Sequence, residues 1–237
     1  SAATVSLYDM TASWFDAVPA SAPSYSGNGT DNPKARWGDP ATNAGKSGYD
    51  FKIATQPINY VVPPNSPNQV LGTFTHLNNP IFAPSITSIK LKLTAKLSID
   101  NVFQDTLDFV YDFSHWETDN GANPCANGGT NGVGVNVNGC ADRVIATWNA
   151  SSETFFVGLE EFTLNVTGFS TTADGANPFT SFWTKEQATN DAFLLARVMY
   201  KKDVLPPNEV PTPATLPLAA LALAGVFATR RMRATKA

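Results

Sequence analysis

The chain has 237 residues, of which 43% are hydrophobic and only 15% charged, and its formal net charge at pH 7 is −4. This size suits one large all-β domain with appendages or two small domains, and seventeen prolines with sixteen glycines predict many turns and few long helices. The last 24 residues carry +4 and the rest −8, so the body lacks the basic stripe of a nucleic-acid-binding protein.

The first segment, residues 1–18, contains the strand-like sequence ATVSLYD. Small residues at its start are typical of a chain that signal peptidase has cut, which predicts export. A loop rich in Pro, Ser, Gly and Asn follows over residues 17–48. We therefore expect residues 1–18 to form a separate N-terminal strand segment that can be donated to another chain, and residues 19–205 to form the main domain.

The body then alternates between apolar and polar residues, most clearly over residues 85–99, where leucines and isoleucines share one face and lysines the other. The pattern of residues 154–169 predicts a long strand, or a hairpin that turns near Gly158. The segment DAFLLARVMY has a composition that also suits a helix, but we predict a final strand. Other strands are predicted at 49–54, 68–77, 105–117 and 142–148. About nine strands predict an all-β fold, a β-sandwich or jelly roll.

The two cysteines, Cys125 and Cys140, enclose 14 mostly small residues. No histidine or second cysteine pair lies nearby in sequence to complete a zinc site, so we predict a disulfide, with free buried thiols as the alternative. A disulfide of this loop length contributes about 3 kcal/mol in the loop-entropy model and favours an oxidising compartment.

One of only two histidines, His76, lies in the stretch GTFTHLNNPI. The sequence offers no GxSxG motif, no free cysteine and no nearby second histidine that would make it a catalytic base. We therefore predict a structural role at a strand end, with Thr75 and Asn78 as hydrogen-bonding companions. Ligand contact is the alternative.

Metal binding has two weak signals. His115 is followed by acidic residues, and it could share a zinc ion with His76, but the spacing does not favour this, and we predict a structural histidine and no metal site. The loops ETDNGAN (117–123) and TTADGAN (171–177) could supply oxygen ligands to calcium, although Asx-turns explain them equally well. We expect no cofactor and keep calcium as an alternative.

Paired carboxylates and exposed tryptophans are the remaining candidates for chemistry. Glu160 and Glu161 are adjacent and point to opposite faces of a strand, so they do not form a glycosidase pair by themselves. The five tryptophans fit strand cores, whereas exposed ones would stack on sugars. We predict no catalytic residues, with a glycan-binding or calcium-dependent adhesion module as the alternative.

The C-terminal region has three parts: a Pro-rich linker (206–213), an apolar run of about 15 residues and an arginine cluster. As a helix the run spans about 23 Å, less than a hydrocarbon core of about 30 Å. Residues 214–237 therefore predict a hydrophobic helix with a basic tail, a marginal anchor whose arginines stay in the cytoplasm.

This plan resembles the PEP-CTERM sorting signal of Gram-negative bacteria, with Thr212 where glutamate is usual. The matching residues are Val210, Pro211, Pro213, Arg230 and Arg231. The order of RWGDP, SGYDF, the Thr75-His76-x-Asn78 motif, Glu117-Thr118-x-Asn120 and GCADRV resembles the THxN family of PEP-CTERM proteins, with its choice-of-anchor K domain, over roughly residues 30–200. The resemblance implies an exported, surface-attached β-rich module, an exosortase-type sorting enzyme as partner and no known enzyme activity.

Together these observations favour a non-enzymatic protein of the cell surface or extracellular matrix, associated with biofilm and exopolysaccharide. We expect the C-terminal helix to anchor it transiently in the inner membrane. A homo-oligomer or filament, formed by strand exchange or edge pairing, is a variant of this function.

Overall fold

A computed structural model describes residues 2–148 and 152–207, and this part of the chain is all-β, as predicted. Two curled antiparallel sheets account for most of the strands and are consistent with a β-sandwich. A short third sheet joins β4 (Asp39–Pro40) and β8 (Ile81–Phe82), and the helical content of the described ranges is one turn of 3-10 helix at Gly134–Asn136.

The first sheet has six strands in the order β15-β11-β10-β9-β1-β6. Their bounds are β1 Ala3–Val18, β6 Ile58–Val62, β9 Ser88–Ile99, β10 Val102–Trp116, β11 Asp142–Trp148 and β15 Ser181–Thr184. The N-terminal strand β1 lies inside this sheet, between β9 and β6, and pairs antiparallel with both. In the monomer, therefore, the segment predicted to be donated completes its own sheet.

The second sheet has seven strands in the order β12-β13-β16-β7-β5-β3-β2, with an eighth, β14, beside β13. Their bounds are β2 Ser24–Ser26, β3 Lys34–Trp37, β5 Ser47–Ile53, β7 Gln69–Asn78, β12 Ser152–Val157, β13 Glu160–Ser170, β14 Pro178–Phe179 and β16 Ala188–Lys202. The segment around Gly158 is thus the turn of a β12–β13 hairpin. The last segment is a strand, as predicted, because its alternate residues pack into the core.

The core lies between the two sheets and follows the predicted alternation. In β9 the apolar side chains are buried while Lys92 and Lys96 point to solvent. Aromatic rings from both sheets meet at the centre, where the ring centroids of Phe74 and Phe113 lie 4.9 Å apart and Trp14 packs against both. Burying such rings is the main contribution to the stability of a sandwich core.

The predicted sorting signal and C-terminal helix lie outside the described residues, as does most of the linker 206–213. Within the described residues, none of the helical structure is long and apolar enough to cross a membrane.

Candidate functional site: a buried polar cluster at one end of the sandwich

Polar side chains from four strand ends meet at one end of the sandwich. We call this group the polar cluster; its members are His76, Asn78, His115, Glu117, Asn120, Asp142 and Glu186. His76 and Asn78 come from the end of β7 in the second sheet, and His115 from the end of β10 in the first. The cluster therefore joins both sheets, and its strand residues His76, Asn78 and His115 share the inward face of their strands with the hydrophobic core.

The two histidines are in direct contact although 38 residues separate them in sequence. Their ring centroids lie 5.2 Å apart and the rings are nearly perpendicular. Trp37 and Tyr49 form the wall behind them, with Tyr49 5.1 Å from the ring of His76 and 5.6 Å from that of His115. Both histidines are thus enclosed by aromatic rings on the core side.

The hydrogen bonds around His76 fix its tautomer. Its Nδ1 lies 2.9 Å from the hydroxyl of Thr184, and that hydroxyl donates its own hydrogen to the backbone carbonyl of Asp142 at 3.2 Å. With the Thr184 hydroxyl donating to that carbonyl, Nδ1 of His76 is assigned as the donor to the hydroxyl, and Nε2 as the acceptor. Burial, and then the neighbouring His115, hold the pKa of His76 well below its usual value, so the ring is neutral.

His115 is held from both sides. Its Nδ1 lies 2.7 Å from the hydroxyl of Tyr49, and its Nε2 lies 3.3 Å from a carboxylate oxygen of Glu117. Nε2 of His115 therefore faces the carboxylates of the cluster. Burial raises the pKa of Tyr49 well above its usual value, so that side chain stays a neutral phenol.

Asp142, the first residue of β11, is the centre of the cluster. Its Oδ1 accepts a hydrogen bond from the backbone N–H of Thr118 at 2.7 Å, whereas its Oδ2 is buried without a partner among the described residues. Burial, reinforced by the negative charge of Glu117, raises the pKa of Asp142 to about 9.

Glu186 is fully buried two residues after the end of β15. Neither of its carboxylate oxygens has a hydrogen-bond partner within the part of the chain that the structure describes. Burial, with the charge of Glu117, raises its pKa to about 7, while the amides of Asn120 and Asn78 act in the opposite direction. A buried carboxylate that is this poorly compensated is costly, because its lost hydration is not replaced by donors.

The predicted disulfide between Cys125 and Cys140 is present and closes the loop that covers the outer end of the cluster. Thr118 donates its hydroxyl hydrogen to the carbonyls of Cys140 and Ala141, and Asn138 donates to the backbone carbonyl of Glu186. The loop thus connects the segment that follows β10 to the start of β11 and to Glu186.

The geometry brings potential metal ligands into two overlapping groups of three. One oxygen or nitrogen from each of His76, His115 and Asp142 lies within 4.8 Å of the others, and the same holds for Glu117, Asp142 and Glu186. Asp142 belongs to both groups. Two imidazoles with several carboxylates can hold a divalent cation, or they can share protons among the acids.

The Thr75-His76-x-Asn78 motif divides between two faces of β7. His76 and Asn78 point inward, and the amide of Asn78 donates to the backbone carbonyl of Thr184 at 3.1 Å. Thr75 points outward and donates its hydroxyl hydrogen to Asp191 of β16 at 2.6 Å. The two inward residues therefore bond to β15, a strand from the opposite sheet.

The two loops considered for calcium contain Asx-turns. Asp119 accepts a hydrogen bond from the N–H of Gly121 at 2.9 Å, and Asp174 accepts one from the N–H of Ala176, also at 2.9 Å. The first loop also supplies Glu117 and Asn120 to the polar cluster.

Asp142 and Glu186 were not predicted from the sequence as members of the site. Both were ordinary acids in a chain with 20 of them. One signal in the sequence could have identified the members of the site. Residues able to donate, accept or bind a metal lie at a predicted strand end in each of four segments, THLN, HWET, GCAD and TKE. In a sandwich, strand ends from distant parts of the chain meet at one edge.

A scan against protein-family models and a search of curated proteins both found no match.

Proposed function

We propose that this chain is a non-enzymatic, exported protein of the cell surface or extracellular matrix, associated with biofilm and exopolysaccharide. In this proposal the β-rich body, with a jelly-roll-like topology, is the displayed module. Residues 210–231 with the hydrophobic helix form a PEP-CTERM-like signal read by an exosortase-type enzyme, and the chain belongs to the THxN family.

The observation that carries this proposal is the enclosure of the polar cluster. His76, Asn78, Asp142 and Glu186 have no exposed surface, and the disulfide loop covers them. Two depressions of about 570 and 370 Å³ on the described surface share no residue with the cluster. Enzymes place perturbed acids and histidines in a cleft that substrate can enter, so a cluster whose inner members are buried, with only Glu117 and Asn120 partly exposed, favours a structural role.

Export has independent support from the disulfide and the surface composition. A disulfide that closes a loop rich in Gly and Asn favours an oxidising compartment. The low charge of the chain is in keeping with an exported β-rich protein.

Localisation tests the proposal directly. Antibody detection on intact and fractionated cells of the native host should find the protein at the surface or in the matrix, and substituting Arg230 and Arg231 by alanine should retain it in the inner membrane. A control substitution of Lys201→Ala, on the exposed part of β16, should leave delivery unchanged. A protein that stays in the cytoplasm would contradict the proposal.

Electron microscopy tests the variant in which copies of the protein assemble into a filament. Because β1 fills its own sheet in the monomer, exchange requires it to leave β9 and β6 and enter another copy. Edge pairing would instead use the open edges of β6 or β15 in the first sheet. Filaments at high protein concentration support the variant, whereas uniform monomers remove it.

Glycan binding is a second candidate because of one surface feature. Trp116, Arg143 and Trp183 are cross-strand neighbours on the outer face of β10, β11 and β15. The two indole rings lie 6.1 Å apart, the guanidinium of Arg143 lies 5.9 Å from the ring of Trp183, and Trp116 is 51% exposed. Exposed aromatic rings with a polar neighbour are suited to stacking on sugar rings.

The binding test compares the wild type with Trp116→Ala on exopolysaccharide from the native host. We expect binding to fall several-fold if this face recognises sugar. Phe103→Ala, a 55% exposed residue at the other end of β10, is the matched control. Equal binding by wild type and both variants would remove the glycan-binding candidate.

A further inference from the structure

The buried atoms of the polar cluster that lack partners are hydrogen-bond acceptors. They are Nε2 of His76, Oδ1 of Asn78, Oδ1 of Asn120, Oδ2 of Asp142 and both carboxylate oxygens of Glu186. Native proteins pair nearly all of their buried polar groups, so a set of unpaired acceptors at one place indicates a group that supplies positive charge.

Several hydrogen-bond donors near the cluster are already used elsewhere, although the buried Nε1–H of Trp37, whose ring lies against His76, has no partner among the described residues. Thr184 donates to the Asp142 carbonyl, Thr118 donates to the carbonyls of Cys140 and Ala141, and the Asn78 amide donates to the Thr184 carbonyl. The Thr184 and Thr118 hydroxyls are committed to the backbone and cannot turn to the carboxylates, so the amides of Asn78 and Asn120 are the donors that act on Glu186. The described protein atoms thus leave the carboxyl groups of Asp142 and Glu186 with few donors.

The fixed tautomer of His76 orients its lone pair as a metal ligand requires. A ligating histidine donates its other ring N–H to a nearby oxygen, which sets the orientation of the ring. Nδ1 of His76 does this to the Thr184 hydroxyl, and Nε2 is the atom left over. The Tyr49 hydroxyl occupies the corresponding position at Nδ1 of His115, whose Nε2 faces Glu117.

We propose that the polar cluster is a structural binding site for one divalent transition-metal ion, with His76, His115 and Asp142 as ligands and Glu117 and Glu186 completing the site. The two imidazoles favour zinc, manganese, iron, cobalt or nickel over calcium and magnesium, which prefer oxygen ligands. Because the ligands come from both sheets, the ion would tie one end of the sandwich together.

The enclosed position assigns the ion a structural function. A catalytic metal keeps a coordination position open to substrate, whereas a structural metal is surrounded by protein ligands. Here the aromatic wall lies on one side and the disulfide loop on the other. The inference does not depend on export or on the family resemblance, since it is drawn from the described side chains alone.

The first test uses the full wild-type chain, purified without a metal-affinity tag. Elemental analysis should find about one equivalent of a transition metal, as held by a closed structural site. Removal with a chelator should lower the melting temperature by roughly 5 °C or more, and Zn²⁺ but not Ca²⁺ should restore it. A chain that retains no metal and whose melting temperature is unmoved by Zn²⁺ and Co²⁺ would overturn the proposal.

The second test separates metal binding from sharing of protons among the acids. Asp142→Asn keeps the size of the side chain but removes the carboxyl group that lies at the centre of the cluster. We expect it to abolish the Zn²⁺-dependent rise in melting temperature and the visible absorption of the Co²⁺-loaded protein. Asp112→Asn, on the exposed face of β10 three residues before His115, is the matched control and should behave as wild type.

The two hypotheses predict opposite results for Asp142→Asn. If the acids only share protons, the variant should be at least as stable as the wild type, and Zn²⁺ should shift neither protein. That outcome would reject the metal site. If the variant does not fold, the wild-type measurements with chelator, Zn²⁺ and Co²⁺ still decide the question.

Discussion

The polar cluster and the aromatic core beside it are built on the same strands and the same inward face. In β7, Phe74 lies in the aromatic core, and two residues later His76 lies in the cluster. In β10, Phe113 and His115 make the same change over the same distance. A two-residue step along a strand thus turns an apolar interior into one rich in lone pairs.

This difference shows that burial alone does not determine what a position contributes. Rings in the aromatic core replace water with close contacts, so their burial is favourable by itself. The acids and imidazoles in the cluster lose their hydration on burial, and hydrogen bonds from the described protein atoms replace only part of it. The core therefore needs no additional group, whereas the cost of burying the cluster falls when its acids share protons or, as we propose, when a cation binds.

The largest effect is expected in the aromatic core. The ring of Phe74 packs against Trp14, Tyr49, Phe113, Phe169 and Phe182. Phe74→Ala should lower the free energy of unfolding by about 3–5 kcal/mol, because it leaves a cavity among rings that cannot close around it. Denaturant unfolding with and without chelator should give the same difference from wild type. A loss below about 1 kcal/mol would show that the core repacks.

The next largest effect is expected at the disulfide, which closes the loop beside the polar cluster. Replacing both Cys125 and Cys140 by serine should lower the free energy of unfolding by about 3 kcal/mol through loop entropy. It should also weaken Zn²⁺ binding, because the loop positions Glu117 and Asn120. Calorimetric titration of the variant with Zn²⁺ checks this. Unchanged affinity would mean that the loop only covers the site.

A smaller effect is expected at Thr184, which fixes the tautomer of His76. Thr184→Val should reduce Zn²⁺ affinity by about 10- to 100-fold, as removal of an outer-shell partner does at other metal sites. Thr184→Ser keeps the hydroxyl and should restore affinity. Equal affinity in valine and serine variants would contradict the tautomer argument.

The smallest effect is expected at Thr75, the outward member of the Thr75-His76-x-Asn78 motif. Thr75→Val removes its hydrogen bond to Asp191 on the surface of the second sheet, and should change stability by no more than about 1 kcal/mol. Zn²⁺ affinity should be unchanged. A large loss of affinity would show that the motif acts as one unit across both faces of β7.

Much of the fold could be predicted from local patterns. Alternation over residues 85–99 placed the buried face of β9 correctly, because each side chain's direction in a strand depends only on its position in the pleat. The disulfide could be predicted because only two cysteines exist, and no other pairing was available. The position of β1 within its own sheet was not evident, since the loop that follows gives no indication of where the strand pairs.

The polar cluster could not be predicted from the sequence. Taken singly, His76 lacked a partner and His115 read as an ordinary buried histidine. The acids that meet them, Asp142 and Glu186, lie 66 and 110 residues after His76. No spacing rule links such positions, because their proximity results from the order of strands in two different sheets.

By itself, the sequence determined the all-β class, the strand faces, the disulfide and the acidic body, since these follow from neighbouring residues and from counting. Only the tertiary structure decided that the inward half of the Thr75-His76-x-Asn78 motif faces Asp142 and Glu186. The physical reason is that strand periodicity is a local property, whereas the meeting of strand ends depends on how the two sheets pack.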